Sequence, residues 1–154
     1  MKEYLFRGKR LDNNEWIEGY LCESIQEGKY CIMPNAFFAT RDFGDEDENK
    51  NPIISDSMAI GGFFPVISET IGQWTGIITN HNQKLFVGDI ISSFSSGGNE
   101  TKHIVIWDKE ETRFALMHCN YTVFDTPMRL SQLWISDYDK KIIGNIHDKQ
   151  LKLF

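Results

Sequence analysis

Apolar and polar residues alternate with a period of two over much of the chain, a pattern that is typical of half-buried β-strands. In the first such segment, residues 4–10, the alternation places Leu5, Arg7 and Lys9 on one face. An Asp-Asn-Asn turn signal separates this segment from the apolar residues 16–21. The two segments therefore predict an N-terminal β-hairpin.

The same pattern predicts further strands at 29–33, 63–67, 102–107, 112–118 and 141–146. Between them, residues 34–56 show no periodicity and contain the acidic run 42–50, which predicts an exposed loop that is dispensable for folding. We expect helix only within 128–138 and, as a second option, at 57–61.

The central stretch, residues 70–91, has glycines where strands would otherwise continue. A glycine inside a strand is unfavourable unless the backbone needs a positive φ or a close approach. We therefore interpret Gly72, Gly76 and Gly88 as parts of a structural corner. Asp89 follows Gly88 and is expected to accept hydrogen bonds from backbone amides there.

Gln73 and Trp74, between the first two of these glycines, allow two interpretations. In the first, Trp74 covers the corner and Gln73 caps loose backbone groups. In the second, both side chains line a recognition groove. The structural interpretation is favoured, because large aromatic residues bury most of their surface in folded domains.

These elements predict a mainly β protein. We expect an antiparallel N-terminal hairpin layer in residues 1–66 and a small SH3-like, or otherwise five-stranded, barrel in residues 67–154. Hydrophobic residues make up 41% of the 154 residues, which is enough for a packed core. No apolar run approaches the roughly 20 residues that span a bilayer, and the N-terminus is charged where a signal peptide is apolar. We expect a cytoplasmic protein that does not bind membranes.

The charge of the chain bears on its partners. Of the formal net charge of −6, residues 1–66 carry −5, with 7 Lys and Arg against 12 Asp and Glu. Such a field repels polyphosphates, which disfavours nucleic-acid binding. The alternative stays open because Arg7 and Lys9 share a strand face and Trp16 offers a stacking surface nearby, as in small barrels that bind single strands.

Candidate chemistry is sparse. The three Cys and four His residues show no metal-ligand spacing, and no GxSxG nucleophile motif occurs. An odd number of cysteines in a chain without a secretory signal is typical of reduced, partly buried thiols. We predict a protein without metal, without cofactor and without catalytic activity.

Four segments of the chain resemble the YopX-like proteins, a family carried mainly by phages and prophages. They are FRGKR-x-D-N-x-E-W-x-x-G at 6–19, ETIGQWTG at 69–76, GDII at 88–91 and IIGNIHD at 142–148. The resemblance implies a mainly β fold with a small barrel in the C-terminal part, and it brings no established biochemical activity.

Pattern and resemblance together predict a phage- or prophage-derived accessory protein that binds another protein through a sheet edge or an aromatic groove. The candidate binding residues are Arg7, Lys9, Trp16, Gln73 and Trp74. The alternative function is that of a small β-barrel that binds nucleic acid. The identity of the protein partner is not predicted, and homo-oligomerisation stays open.

Overall fold

The computed structural model describes residues 4–23, 28–34, 37–46, 52–60, 62–94, 97–120, 122, 125–136 and 140–148. For 37–46 and 52–60 it describes the path and pairing of the backbone. Within these residues the chain forms, in order, β1 (Phe6–Lys9), β2 (Trp16–Glu23), β3 (Tyr30–Met33), β4 (Phe37–Glu46), β5 (Pro52–Ile60), β6 (Phe64–Val66), a 3-10 turn (Ser68–Thr70), β7 (Gly72–Ile78), β8 (Lys84–Phe86), β9 (Asp89–Phe94), β10 (Glu100–Asp108), β11 (Arg113–His118), β12 (Met128–Arg129), α1 (Gln132–Ser136) and β13 (Lys141–Asn145). The prediction of a mainly β protein is confirmed.

The first sheet has six antiparallel strands in the order β6-β3-β2-β1-β7-β8. This sheet is curled, so that the residues at the end of β1 bond to β6, the edge strand of the same sheet. Arg10 forms an isolated bridge with Val66, and the amide of Ile67 donates to the carbonyl of Lys9 at 2.8 Å. The curl brings the inner faces of β1, β3 and β6 together.

The second sheet has five antiparallel strands in the order β12-β11-β10-β9-β13. Strands β12 and β13 are its two open edges, so the described residues form no closed barrel. The predicted SH3-like barrel in residues 67–154 is therefore wrong. Alternation correctly places strands, but closure depends on which edges meet, and the sequence pattern carries no such information.

The main core lies between the two sheets. All of its members are less than a tenth exposed: Leu85, Ile91, Val105, Leu116, Leu130 and Ile135. Leu85 comes from β8 of the first sheet and Ile135 from α1, so the core joins elements that are distant in sequence. Burying these side chains stabilises the fold by about 1.5–3 kcal/mol each.

Strands β4 and β5 pair from Phe37 with Ile60 to Glu46 with Pro52, interrupted by a bulge, and form a two-stranded sheet of their own. We call this hairpin the β-arm. The exposed loop predicted for the acidic run 42–50 is therefore wrong for its described residues 42–46, which lie in β4. The optional helix at 57–61 is wrong for residues 57–60, which lie in β5. Turn-rich, acidic residues have weak strand preference individually, but pairing across a hairpin outweighs it.

The predicted boundary between residues 66 and 67 stays a prediction. Strands from both sides of it share the first sheet, where β1 pairs with β7. Helix α1 lies within the predicted range 128–138. In the part of the chain that the structure describes, no helix has the length and apolar character needed to cross a bilayer.

Candidate functional site

Arg7 connects the two sheets. Its Nη2 atom donates to Oδ1 of Asp89, at the start of β9, and the side chains of Arg7 and Asp89 are 17% and 1% exposed. The guanidinium carbon lies 4.5 Å from the ring centre of Trp16 and 4.6 Å from that of Phe86. Arg7 is therefore held between two aromatic rings in a favourable cation–π arrangement.

The carboxylate of Asp89 is fully engaged within the protein. Its Oδ2 accepts from the amide of Phe86 at 2.9 Å, and its Oδ1 also accepts from Nδ2 of Asn145 at 3.2 Å. Burial raises the pKa of Asp89, while the Arg7 guanidinium and the Phe86 amide act in the opposite direction. Gly88 makes the turn before Asp89 with a φ of 91°.

Lys9 makes the second link between the sheets. It is 7% exposed, and its Nζ donates to the carbonyl of His147 at 2.9 Å and pairs with Oδ1 of Asp148 at 3.2 Å. The same Oδ1 accepts from Nε1 of Trp16 at 3.2 Å. Burial raises the pKa of Asp148, but the donors from Asn145, Lys9 and Trp16 together hold it below its usual range.

We call this group the seam cluster: Arg7, Lys9, Trp16, Asp89, Asn145 and Asp148. It brings together three of the predicted binding residues and one predicted corner residue. Sequence reasoning missed Asn145 and Asp148, although both belong to the IIGNIHD segment that carries the family resemblance. The cluster contains no thiol or hydroxyl nucleophile, and each of its carboxylates accepts hydrogen bonds from other residues of the chain.

Gln73 and Trp74 lie outside the seam cluster, on β7, and both side chains are half-buried. The carbonyl of Gln73 accepts from the amide of Val87 at 2.9 Å, and the amide of Trp74 donates to the carbonyl of Leu5 at 2.8 Å. The indole Nε1 of Trp74 donates to the carbonyl of Ile77 at 3.2 Å. These bonds hold β7 between its neighbours.

The remaining corner residues lie beside them. A Cβ atom at Gly72 would come within 2.2 Å of the carbonyl oxygen of Val87, so only glycine allows this approach of two backbones. Gly76 has a φ of 85°, and a Cβ atom at this position would meet no other atom within 4 Å.

A groove between the two sheets was not predicted from the sequence. It has a volume of about 360 Å³. We call it the arginine groove, and its main lining residues are Ile77, Trp107, Arg113, Phe114, Arg129 and Leu130. Trp107 is 44% exposed, and its ring stands edge-to-face on that of Phe114, with 5.0 Å between ring centres. Arg129 is exposed, and its side chain forms no ion pair or hydrogen bond with any residue within the described ranges.

Histidine and cysteine residues do not assemble a metal site among the residues described: no three of His, Cys, Asp or Glu are placed to share an ion. His103 and His118 lie opposite each other on β10 and β11, with ring centres 5.3 Å apart. Burial, followed by the nearby His118 and Lys140, lowers the pKa of His103. Burial raises the pKa of the Cys119 thiol, which keeps it protonated.

The segments that meet at the seam cluster are those that carry the family resemblance, and a family model described as YopX protein matches residues 5–153. The chain belongs to the YopX family. In this YopX protein the FRGKR, GDII and IIGNIHD segments, far apart in sequence, each supply residues to the seam cluster.

One solved structure of similar fold is the crystal structure of protein EF1440 from Enterococcus faecalis. It aligns with a TM-score of 0.55 and 18% sequence identity, over 96% of this YopX chain and 95% of the other. At this identity the likeness establishes a shared fold. No curated protein shows a significant match to the chain.

Proposed function

We propose that this YopX protein is a non-catalytic accessory protein of phages or prophages that acts in the host cytoplasm by binding another protein. One observation carries the proposal: the arginine groove is lined by Trp107, which is 44% exposed, and by the exposed Arg129. Trp and Arg are enriched among the few residues that supply most of the binding energy at protein interfaces.

The state of the seam cluster supports the non-catalytic part of the proposal. A catalytic acid or base must be able to exchange a proton with a substrate. Asp89 and Asp148 instead pair with Arg7 and Lys9, and both accept additional hydrogen bonds. The cluster therefore serves to join the sheets, and the binding surface lies elsewhere.

Binding to nucleic acid has less support. The basic strand face on which this alternative rests consists of Arg7 and Lys9, and both side chains form ion pairs within the chain. The formal net charge of −6 adds a field that repels polyphosphates at long range.

The test is capture of a partner from the native host with an affinity-tagged full-length chain, in parallel samples with and without nuclease. We expect a specific protein in both samples and stoichiometric binding when that protein is purified and mixed with the chain, measured by calorimetry. Recovery that disappears with nuclease would support the nucleic-acid alternative. Recovery of the chain itself as the only bound protein would indicate a homo-oligomer and contradict the proposal.

A further inference from the structure

Two of the three cysteines lie directly opposite each other in the first sheet. Cys22 on β2 pairs with Cys31 on β3, and the antiparallel register creates this pair although the sequence has no CxxC spacing. Opposed side chains point to the same face of a sheet. Ile32, the neighbour of Cys31, is fully buried on the inner face, so the two cysteines lie on the outer face. Both are free and partly exposed.

Strand pairing gives the spacing of the two thiols. On its other side Cys31 is opposite Pro65, which has no amide proton and whose carbonyl accepts from the amide of Leu11. The backbone of Cys31 therefore bonds towards β2, and Cys22 and Cys31 form a hydrogen-bonded pair. The Cα atoms of such a pair lie about 5.5 Å apart, within the roughly 4.4–6.8 Å found in disulfides.

The same spacing makes a disulfide at this position strained. The Cβ atoms of opposed residues lie about 4.5–5.5 Å apart, whereas those of a disulfide lie about 3.5–4.5 Å apart. Closing the bond between Cys22 and Cys31 therefore draws two paired strands together locally. Because strain makes a disulfide easier to reduce, the pair is suited to a reversible bond rather than to a permanent one.

A groove of about 300 Å³ gives access to one of the two thiols. Cys31 lines it, together with the apolar and aromatic residues Leu11, Tyr30, Pro65 and Val66. The third cysteine, Cys119, is only 8% exposed and lies at the end of β11 in the second sheet. Burial raises the pKa of its thiol, which makes it a poor nucleophile. The chain therefore has one accessible dithiol and one inert thiol.

We propose that Cys22 and Cys31 are a redox-active dithiol, which a low-molecular-weight disulfide converts reversibly into a cross-strand disulfide. The thiolate of Cys31 attacks one sulfur of the small disulfide, whose S–S bond breaks and releases one small thiolate. The thiolate of Cys22 then attacks the sulfur bound to Cys31 and releases the second. Each leaving thiolate takes up the proton that a cysteine has lost, and two electrons pass from the cysteines to the small disulfide.

This modification does not depend on the proposed protein-binding function. In reducing compartments, disulfides are usually transient and either catalytic or redox-sensing. A strained, partly exposed pair has the lability that redox sensing requires. Because the bond consumes the Cys31 thiol in the groove wall, the redox state of the solution changes the chemistry of this surface.

The test incubates the reduced, folded, full-length protein with bis(2-hydroxyethyl) disulfide. Free thiols are then alkylated in denaturant and counted by mass spectrometry. We expect two thiols to disappear together, one to remain at Cys119, and peptide mapping to place the bond between Cys22 and Cys31. An excess of 2-mercaptoethanol should restore all three thiols without denaturant.

Three variants separate the roles of the thiols. Cys22→Ser should stop at a mixed disulfide on Cys31, whereas Cys119→Ser should form the bond as the parent does. The matched control is the double variant Cys31→Ser with Met33→Cys, which keeps three thiols but moves one by two residues along the same face. Its thiol lies diagonal to Cys22, with about 7–8 Å between the residues, so the bond should form at least about ten-fold more slowly. Thermal melts establish that the variants are folded.

Three outcomes overturn the inference. The first is survival of all three thiols in the parent under conditions that fully oxidise free dithiothreitol. The second is a parent end product that is a mixed disulfide or a bond between two chains. The third is equally fast bond formation in the parent and in the displaced-thiol variant, which would show that the strand register does not direct the reaction. The first two are read from the parent alone, so they apply even if a variant fails to fold.

Discussion

Gly88 shows how a single residue can meet two constraints at once. Its φ of 91° is strained for residues with a side chain, and a Cβ atom there would lie 2.9 Å from Nδ2 of Asn145, which donates to Asp89. We expect Gly88→Ala to reduce the free energy of unfolding by about 2–4 kcal/mol, measured by urea denaturation.

Gly76→Ala is the matched control for this prediction. Gly76 has a similar φ of 85°, but a Cβ atom there meets no atom within 4 Å. Its substitution should therefore cost about 1 kcal/mol from backbone strain alone. Equal losses for the two variants would show that contact with Asn145 contributes nothing.

Asp148 gives a prediction that depends on pH. Its pKa is held below the usual range in the folded protein, so its contribution to stability is present above the unfolded pKa of about 3.9 and is lost as the pH falls through the folded pKa. Asp148→Asn should be about 1–3 kcal/mol less stable than the parent at pH 7. Urea melts should show this difference shrinking below about pH 4, and a constant difference down to pH 3 would contradict the assignment.

His103 is positively charged when protonated, whereas Asp148 is negatively charged when deprotonated. The pKa of His103 is lowered mainly by burial. The unfolded chain therefore takes up a proton at a pH where the folded chain does not, and stability falls as the pH drops below about 6.5. We expect His103→Phe to flatten this dependence between pH 7 and pH 5, by at most about 1.4 kcal/mol per pH unit. Identical slopes for parent and variant in denaturant melts would rule out this role.

At the scale of elements, the sequence predicted best where alternation is strong. The hairpin of β1 and β2 and that of β10 and β11 follow directly from apolar periodicity. The β-arm did not follow from the pattern, because its acidic residues resemble those of a loop. The open edges of the second sheet were missed because strand patterns do not specify which edges close.

The β-arm is expected to be separable from the rest. It forms its own sheet, and Ile32 on β3 pairs with Phe64 on β6, so the chain enters and leaves the arm at neighbouring points. Replacing residues 35–61 with a short Gly-Ser turn should leave a cooperative urea transition, with a change below about 2 kcal/mol. Loss of near-ultraviolet circular dichroism would show instead that the arm contributes to the core.

At the scale of the whole molecule, the candidate site was predictable in part. Arg7 and Lys9 were identified because they share a strand face, Trp16 because it offers a stacking surface near them, and Asp89 because it follows a glycine inside a strand. Asn145 and Asp148 were missed because nothing local shows that a turn near the C-terminal strand reaches β1. The arginine groove was missed for the same physical reason: Ile77 and Arg129 become neighbours only through the packing of the two sheets.

The seam cluster should make the two sheets unfold together. Asp89→Asn leaves a largely buried Arg7 without its counter-charge, which should cost about 3–5 kcal/mol in urea melts. The double variant Arg7→Met with Asp89→Leu removes both charges and should recover at least half of that loss. If the double variant is less stable than Asp89→Asn, the hydrogen bonds of the pair are more important than its charge balance.

The link between Lys9 and His147, which are 138 residues apart, also has a consequence for synthesis on the ribosome. At about 5–20 residues per second, roughly 7 to 28 s pass between the translation of these two positions. Throughout that interval the nascent first sheet has two basic side chains whose acidic partners have not all emerged. The native arrangement of this sheet is therefore completed only after translation of the final strand, and a chaperone that shields the N-terminal hairpin during that delay would raise the yield of folded protein.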